Sequence, residues 1–137
     1  MFKYLGIVLV MLALAMAIFP QYTNCSAQGR EIQLSNGSTT PMKCHWTAQA
    51  EIAVAAPLLA VGAMMTLSRR KEASQSLAIT GIVLGAFAIT LPTYLVGVCS
   101  NPMMVCHSVM SPALVTLGAV VAGGSLVGAV VAFKKKE

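Results

Sequence analysis

Four apolar runs, each close to the length that crosses a bilayer, constrain this chain more than any other feature of its sequence. They cover approximately Tyr4 to Phe19, Thr47 to Leu67, Leu77 to Val98 and Ala113 to Phe133. A hydrocarbon core about 30 Å thick is spanned by roughly 20 residues of helix, and backbone in lipid must satisfy its own hydrogen bonds, so such runs fold as transmembrane helices. Composition agrees: 9% of the 137 residues are charged, against about a quarter in soluble domains. The expected fold is all-α, an integral membrane four-helix bundle that forms a single membrane domain over residues 1–137. The first run is the shortest and has the outline of a secretory signal, with Lys3 before it and Ala13, Ala15 and Ala17 near its end. We read it as a span because an internal repeat requires it.

Charge fixes the expected direction of the helices. Lys3 precedes the first span, Arg69, Arg70 and Lys71 join the second to the third, and Lys134, Lys135 and Lys136 follow the fourth. The positive-inside rule then places both termini and the middle loop in the cytoplasm, where these bases touch anionic membrane lipid. The formal charge of +5 forms no basic stripe with interleaved aromatics, so nucleic acid is not an expected partner. Gly81 and Gly85, like Gly124 and Gly128, have the small-xxx-small spacing that lets helices approach closely. Pro57 is expected to bend the second span.

The chain is also a tandem repeat, residues 1–70 and 71–137. Phe19-Pro20-Gln21-Tyr22 leads to Cys25, and Leu91-Pro92-Thr93-Tyr94 leads to Cys99; later, Pro41-Met42-Lys43-Cys44-His45 opens the second span and Pro102-Met103-Met104-Val105-Cys106-His107 opens the fourth. Two hairpins in the same orientation are expected, related by a pseudo-two-fold axis along the membrane normal. The first outer loop is long and holds an Asn36-Gly37 turn signal for a small β-hairpin, while the second is short. The longer loop is the better surface for a partner subunit or a second copy of the chain.

Every sulfur and imidazole of interest falls at the outer helix ends. In an oxidising compartment Cys25 with Cys44, and Cys99 with Cys106, are suited to pair as disulfide staples. Reversible thiol chemistry linked to quinone is the alternative, although no Cys-x-x-Cys pair is present. His45 and His107 each follow a cysteine near a helix start. Brought together, they suit axial ligation of haem or, with Met42, Met103, Met104, Met110 and any reduced thiols, a soft-metal site such as copper. Glu51, with Gln49 in the early turns of the second span, has no counterpart in the second half, and an ionised carboxylate there is costly unless it faces water or a partner.

The segments Cys44-His45-Trp46-Thr47-Ala48-Gln49-Ala50-Glu51 and Cys106-His107-Ser108-Val109-Met110-Ser111-Pro112-Ala113-Leu114 resemble the bacterial membrane family catalogued as domain of unknown function 4418. The resemblance covers nearly the whole chain. It implies a small multi-pass protein of the bacterial cytoplasmic membrane, accessory to ABC-type transporters, and supplies no catalytic residues. No nucleotide-binding, hydrolase or zincin motif is present. The expected role is therefore a non-enzymatic membrane subunit or binding module, with thiol-disulfide oxidoreductase activity as the alternative.

Overall fold

The computed structural model describes residues 1–134; Lys135 and Lys136, and with them most of the terminal basic run, lie outside the described residues. Its elements in chain order are α1 (Phe2–Thr23), β1 (Ile32–Gln33), β2 (Thr39–Thr40), α2 (Lys43–Leu67), α3 (Lys71–Thr90), a π-helical turn (Leu91–Leu95), a second π-helical turn (Cys106–Met110) and α4 (Ser111–Lys134). All four long helices are apolar and long enough to cross a membrane. This is the four-helix membrane architecture expected, and each half of the chain supplies one hairpin, α1 against α2 and α3 against α4.

The span limits differ from the apolar runs for identifiable reasons. The first helix continues through Pro20 to Thr23, since proline leaves only the Met16 carbonyl without its helical donor. The third helix stops sooner than Val98: the Leu91 carbonyl accepts both the Val96 and Gly97 N–H groups, and Gly97 takes φ 75. That left-handed conformation suits glycine. The Asn36-Gly37 turn joins β1 to β2, with Ile32 opposite Thr40 and Gln33 opposite Thr39, and Gly37 at φ 84. Pro57 is accommodated within a continuous α2 and lies on its exposed side.

About a third of each span is buried in the bundle. The remaining faces carry large apolar side chains, among them Ile18, Val83, Phe87, Val120 and Val130, as lipid contact requires. The interior divides into two layers. Leu9, Ala13, Met16, Leu58, Val61, Met65 and Val121 belong to the main core, whereas Cys25, Cys44, Ala48, Cys106, Met110 and Leu114 form a separate cluster at the end away from the termini.

Close helix approach depends on small residues, though not on all those the spacing suggested. A Cβ on Gly85 would lie 2.8 Å from the Ala122 backbone nitrogen, and one on Gly62 would lie 3.1 Å from the Gly6 carbonyl oxygen. Gly128 faces Leu5 of α1, and Gly124 faces nothing within 4 Å. The α4 surface that meets α3 is instead made by Gly118, Ala122 and Ser125.

Candidate sulfur centre

Each cysteine is positioned by a helix end. Cys25 follows α1 directly after Asn24, whose side-chain oxygen accepts the Ala27 N–H at 2.7 Å and whose amide donates to the Gln21 carbonyl at 3.1 Å. The Cys25 carbonyl in turn accepts from Gln28 and Arg30, closing a tight turn that faces its thiol inward. Cys44 lies in the first turn of α2, and Cys106 opens the second π-helical turn. Cys99 belongs to the irregular stretch between the two π-helical turns, where Thr47 Oγ1 donates to the Gly97 carbonyl at 2.7 Å. His107 Nδ1 lies 3.0 Å from the Cys99 carbonyl. Because a carbonyl only accepts, Nδ1 carries the proton of that bond.

The four sulfurs meet at one point. Cys25 Sγ is 3.1 Å from Cys106 Sγ and 3.9 Å from Cys99 Sγ, Cys99 Sγ is 3.7 Å from Cys44 Sγ, and all four lie within 4.8 Å of one another. The Cys25 N–H also points at Cys44 Sγ, 3.4 Å away. Cys25, Cys44 and Cys106 are buried and Cys99 is partly exposed; all four are free thiols. The disulfides expected within each half are not formed here, and the shortest separation joins Cys25 of the first half to Cys106 of the second. Burial pushes the Cys25 thiol well above its ordinary range, and hydrogen bonding with Cys44 and Cys106 adds to that rise.

Other expected site residues divide into those at this centre and those away from it. Met42 Sδ is 3.9 Å from Cys99 Sγ; Met104 packs against the cluster and Met110 lies inside it. Met103 is 86% exposed and turns outward. Neither histidine ring joins the sulfur group: His107 is exposed and occupied with the Cys99 carbonyl, and His45 rests its ring edgewise on Trp46 with centroids 5.7 Å apart. His45 Nδ1 is buried without a hydrogen-bond partner among the described residues, as are both carboxylate oxygens of Glu51. Glu51 lies two turns below Cys44 on the same inward face of α2, about 10 Å along the axis. Gln49 sits on the exposed face and does not accompany it.

Two contacts escaped the sequence reading. The Thr47 hydroxyl ties the first half to the loop that presents Cys99, and Gln21 Nε2 donates to the Ala48 carbonyl between α1 and α2 at 3.3 Å. Gly97, three residues after Tyr94, was the available signal for a tight turn there.

Fold and site together define a multi-pass membrane protein with a thiol tetrad at one end of a four-helix bundle. The chain belongs to the family described as Domain of unknown function (DUF4418), whose model matches residues 6–131. No curated protein and no solved structure matches it.

Proposed function

We propose that this protein is a non-enzymatic membrane subunit that holds a thiophilic metal ion in a four-cysteine centre at the extracytoplasmic end of its bundle. The observation that carries this reading is the convergence of four thiols, two from each half, within 4.8 Å. A tetrahedral ion with metal–sulfur bonds of about 2.3 Å sets its ligands about 3.8 Å apart. The Cys44–Cys99 and Cys25–Cys99 separations of 3.7 and 3.9 Å are close to that edge. Zn(II) and Cu(I) are the ions such a donor set suits.

The extracytoplasmic assignment rests on Lys3, Arg69, Arg70 and Lys134, which all belong to the end opposite the thiols. Below the centre, Leu9, Leu58 and Val121 are buried in the main core of the bundle. The role as a subunit associated with a transporter of the ABC type rests on the family resemblance alone. Haem between His45 and His107 has no comparable support: His107 is engaged with the Cys99 carbonyl and His45 lies against Trp46.

The test is purification of the intact chain in mild detergent under reducing, anaerobic conditions, followed by metal analysis and thiol titration after loading with Zn(II) or Cu(I). About one ion per chain is expected, with the four thiols protected from alkylation, and Cys44→Ser or Cys106→Ser lowers affinity by about 100-fold or more. Four thiols that stay fully titratable in the presence of both ions would sink the reading. A Soret band lost in His107→Ala would replace it with haem. Thiols that instead equilibrate reversibly with a dithiol buffer, without retaining metal, would favour the oxidoreductase alternative, for which the 3.1 Å Cys25–Cys106 separation is the supporting observation.

A further inference from the structure

The donors around the centre are not equivalent, and their differences bear on which ion it takes and how that ion arrives. Three thiols are buried, while Cys99 is partly exposed and lies on the one segment of the four that is neither helix nor tight cap. Hydrogen bonds hold the carbonyls on either side of Val98: Gly97 accepts from Thr47 at 2.7 Å and Cys99 from His107 at 3.0 Å. The backbone at Cys99 is thereby fixed and the thiol edge is left open. At that edge stands a thioether, with Met42 Sδ 3.9 Å from Cys99 Sγ and Met42 itself only partly buried. Met42 is also anchored, as the residue that caps α2 in extended conformation and accepts the His45 N–H through its carbonyl.

We infer that the centre takes up Cu(I) by exchange through an open edge formed by Cys99 and Met42. This inference rests on the metal-holding reading above and deepens it by naming the ion and the way in. Zn(II) in proteins is held by thiolate, imidazole and carboxylate, and gains nothing from a thioether. Cu(I) is soft and accepts thioether sulfur, so a methionine at the mouth gives it a neutral intermediate ligand between solution and the buried thiols. Met104 and Met110 continue the sulfur lining around the cluster, and no carboxylate or imidazole of the described residues enters the group. A site closed on all sides would hold an ion permanently. This one has a soft donor where it opens.

Uptake by the intact, reduced chain in detergent tests the inference, with Cu(I) presented as its bathocuproine disulfonate complex and Zn(II) presented in parallel from a chromophoric chelator. In Met42→Leu, which keeps volume and removes the sulfur, Cu(I) transfer is expected to slow by about tenfold, while final Cu(I) stoichiometry and the Zn(II) rate stay at wild-type values. Met65→Leu, a buried packing change of the same kind in the main core away from the sulfurs, is expected to leave both rates unaltered. Equal slowing of the two ions in Met42→Leu, or no slowing of either, would overturn the role assigned to the thioether while leaving the tetrad reading intact. Failure of the wild-type chain to take either ion would overturn both.

Discussion

The two hairpins deliver the same pair of cysteines by different means. In the first, Cys25 and Cys44 are both buried at helix ends, and the 18 residues between them, 26–43, form a tight turn and a small exposed β-hairpin that leaves the thiols alone. In the second, Cys106 is buried at the start of a π-helical turn, but Cys99 rides on irregular backbone and is partly exposed. Helix packing differs as well. The glycines at which α1 and α2 come close, Gly6 and Gly62, lie toward the end that carries the termini, whereas α3 and α4 pinch at Gly85, Gly118 and Ala122, nearer the thiols. Both halves thus bring two sulfurs to the same end of the bundle while packing their helices differently. The first hairpin supplies two buried thiols, the second one buried and one partly exposed.

The largest expected effect comes from moving the second hairpin's pinch. In Gly85→Ala the new methyl meets the Ala122 backbone nitrogen at 2.8 Å and its Cβ at 3.0 Å, and neither is the far end of a flexible chain. Relief requires α3 and α4 to separate, which is expected to destabilise the bundle by about 1–3 kcal/mol in detergent unfolding. Metal retention is expected to fall with it, because Cys99 and Cys106 are carried by the two helices that part. A variant as stable as wild type would show that the pinch is slack.

This contrast also shows how far the sequence could be read. The four spans were legible because lipid admits only long apolar helices, and the gathering of every cysteine at one end of the bundle followed from their positions beside the helix ends. Which face of each helix turns inward was not legible: the lipid-facing side, with Val83 and Val130, is as apolar as the core side, with Leu58 and Val121, so periodicity carries little signal. Gly124 and Gly128 satisfied the spacing rule, yet one faces open space and the other α1. The cysteines were sorted by chain proximity, Cys25 with Cys44 and Cys99 with Cys106, whereas all four lie within 4.8 Å of one another and the shortest separation joins Cys25 to Cys106. The two halves of the repeat, each with its pair, held the only hint of a tetrad.

A smaller effect tests whether the first hairpin positions the Cys99 loop of the second. Thr47 is fully buried, and its hydroxyl reaches across to the Gly97 carbonyl at 2.7 Å. Thr47→Val keeps the branched shape and deletes that donor, at an expected cost of about 1 kcal/mol. If the bond positions Cys99, the off-rate of bound ion should rise several-fold more than this global loss accounts for, and alkylation of the residual free thiol should fall on Cys99 first. Uniform labelling of the four cysteines would show that the contact stabilises the bundle without orienting the loop.

The smallest effect runs in the opposite direction and isolates the geometry from the sequence pattern. Gly124→Ala adds a methyl where no atom lies within 4 Å, so no packing is disturbed, while a glycine in mid-helix is worth up to about 1 kcal/mol less than alanine. The variant is therefore expected to unfold slightly later than wild type, with metal uptake unchanged, since α4 meets α3 through Gly118, Ala122 and Ser125 instead. Placed beside Gly85→Ala, it asks one question of two glycines that a spacing rule treats alike. Destabilisation at both would mean that Gly124 packs against another helix in the membrane, and the only face of α4 still available for that is the one turned toward lipid or a partner subunit.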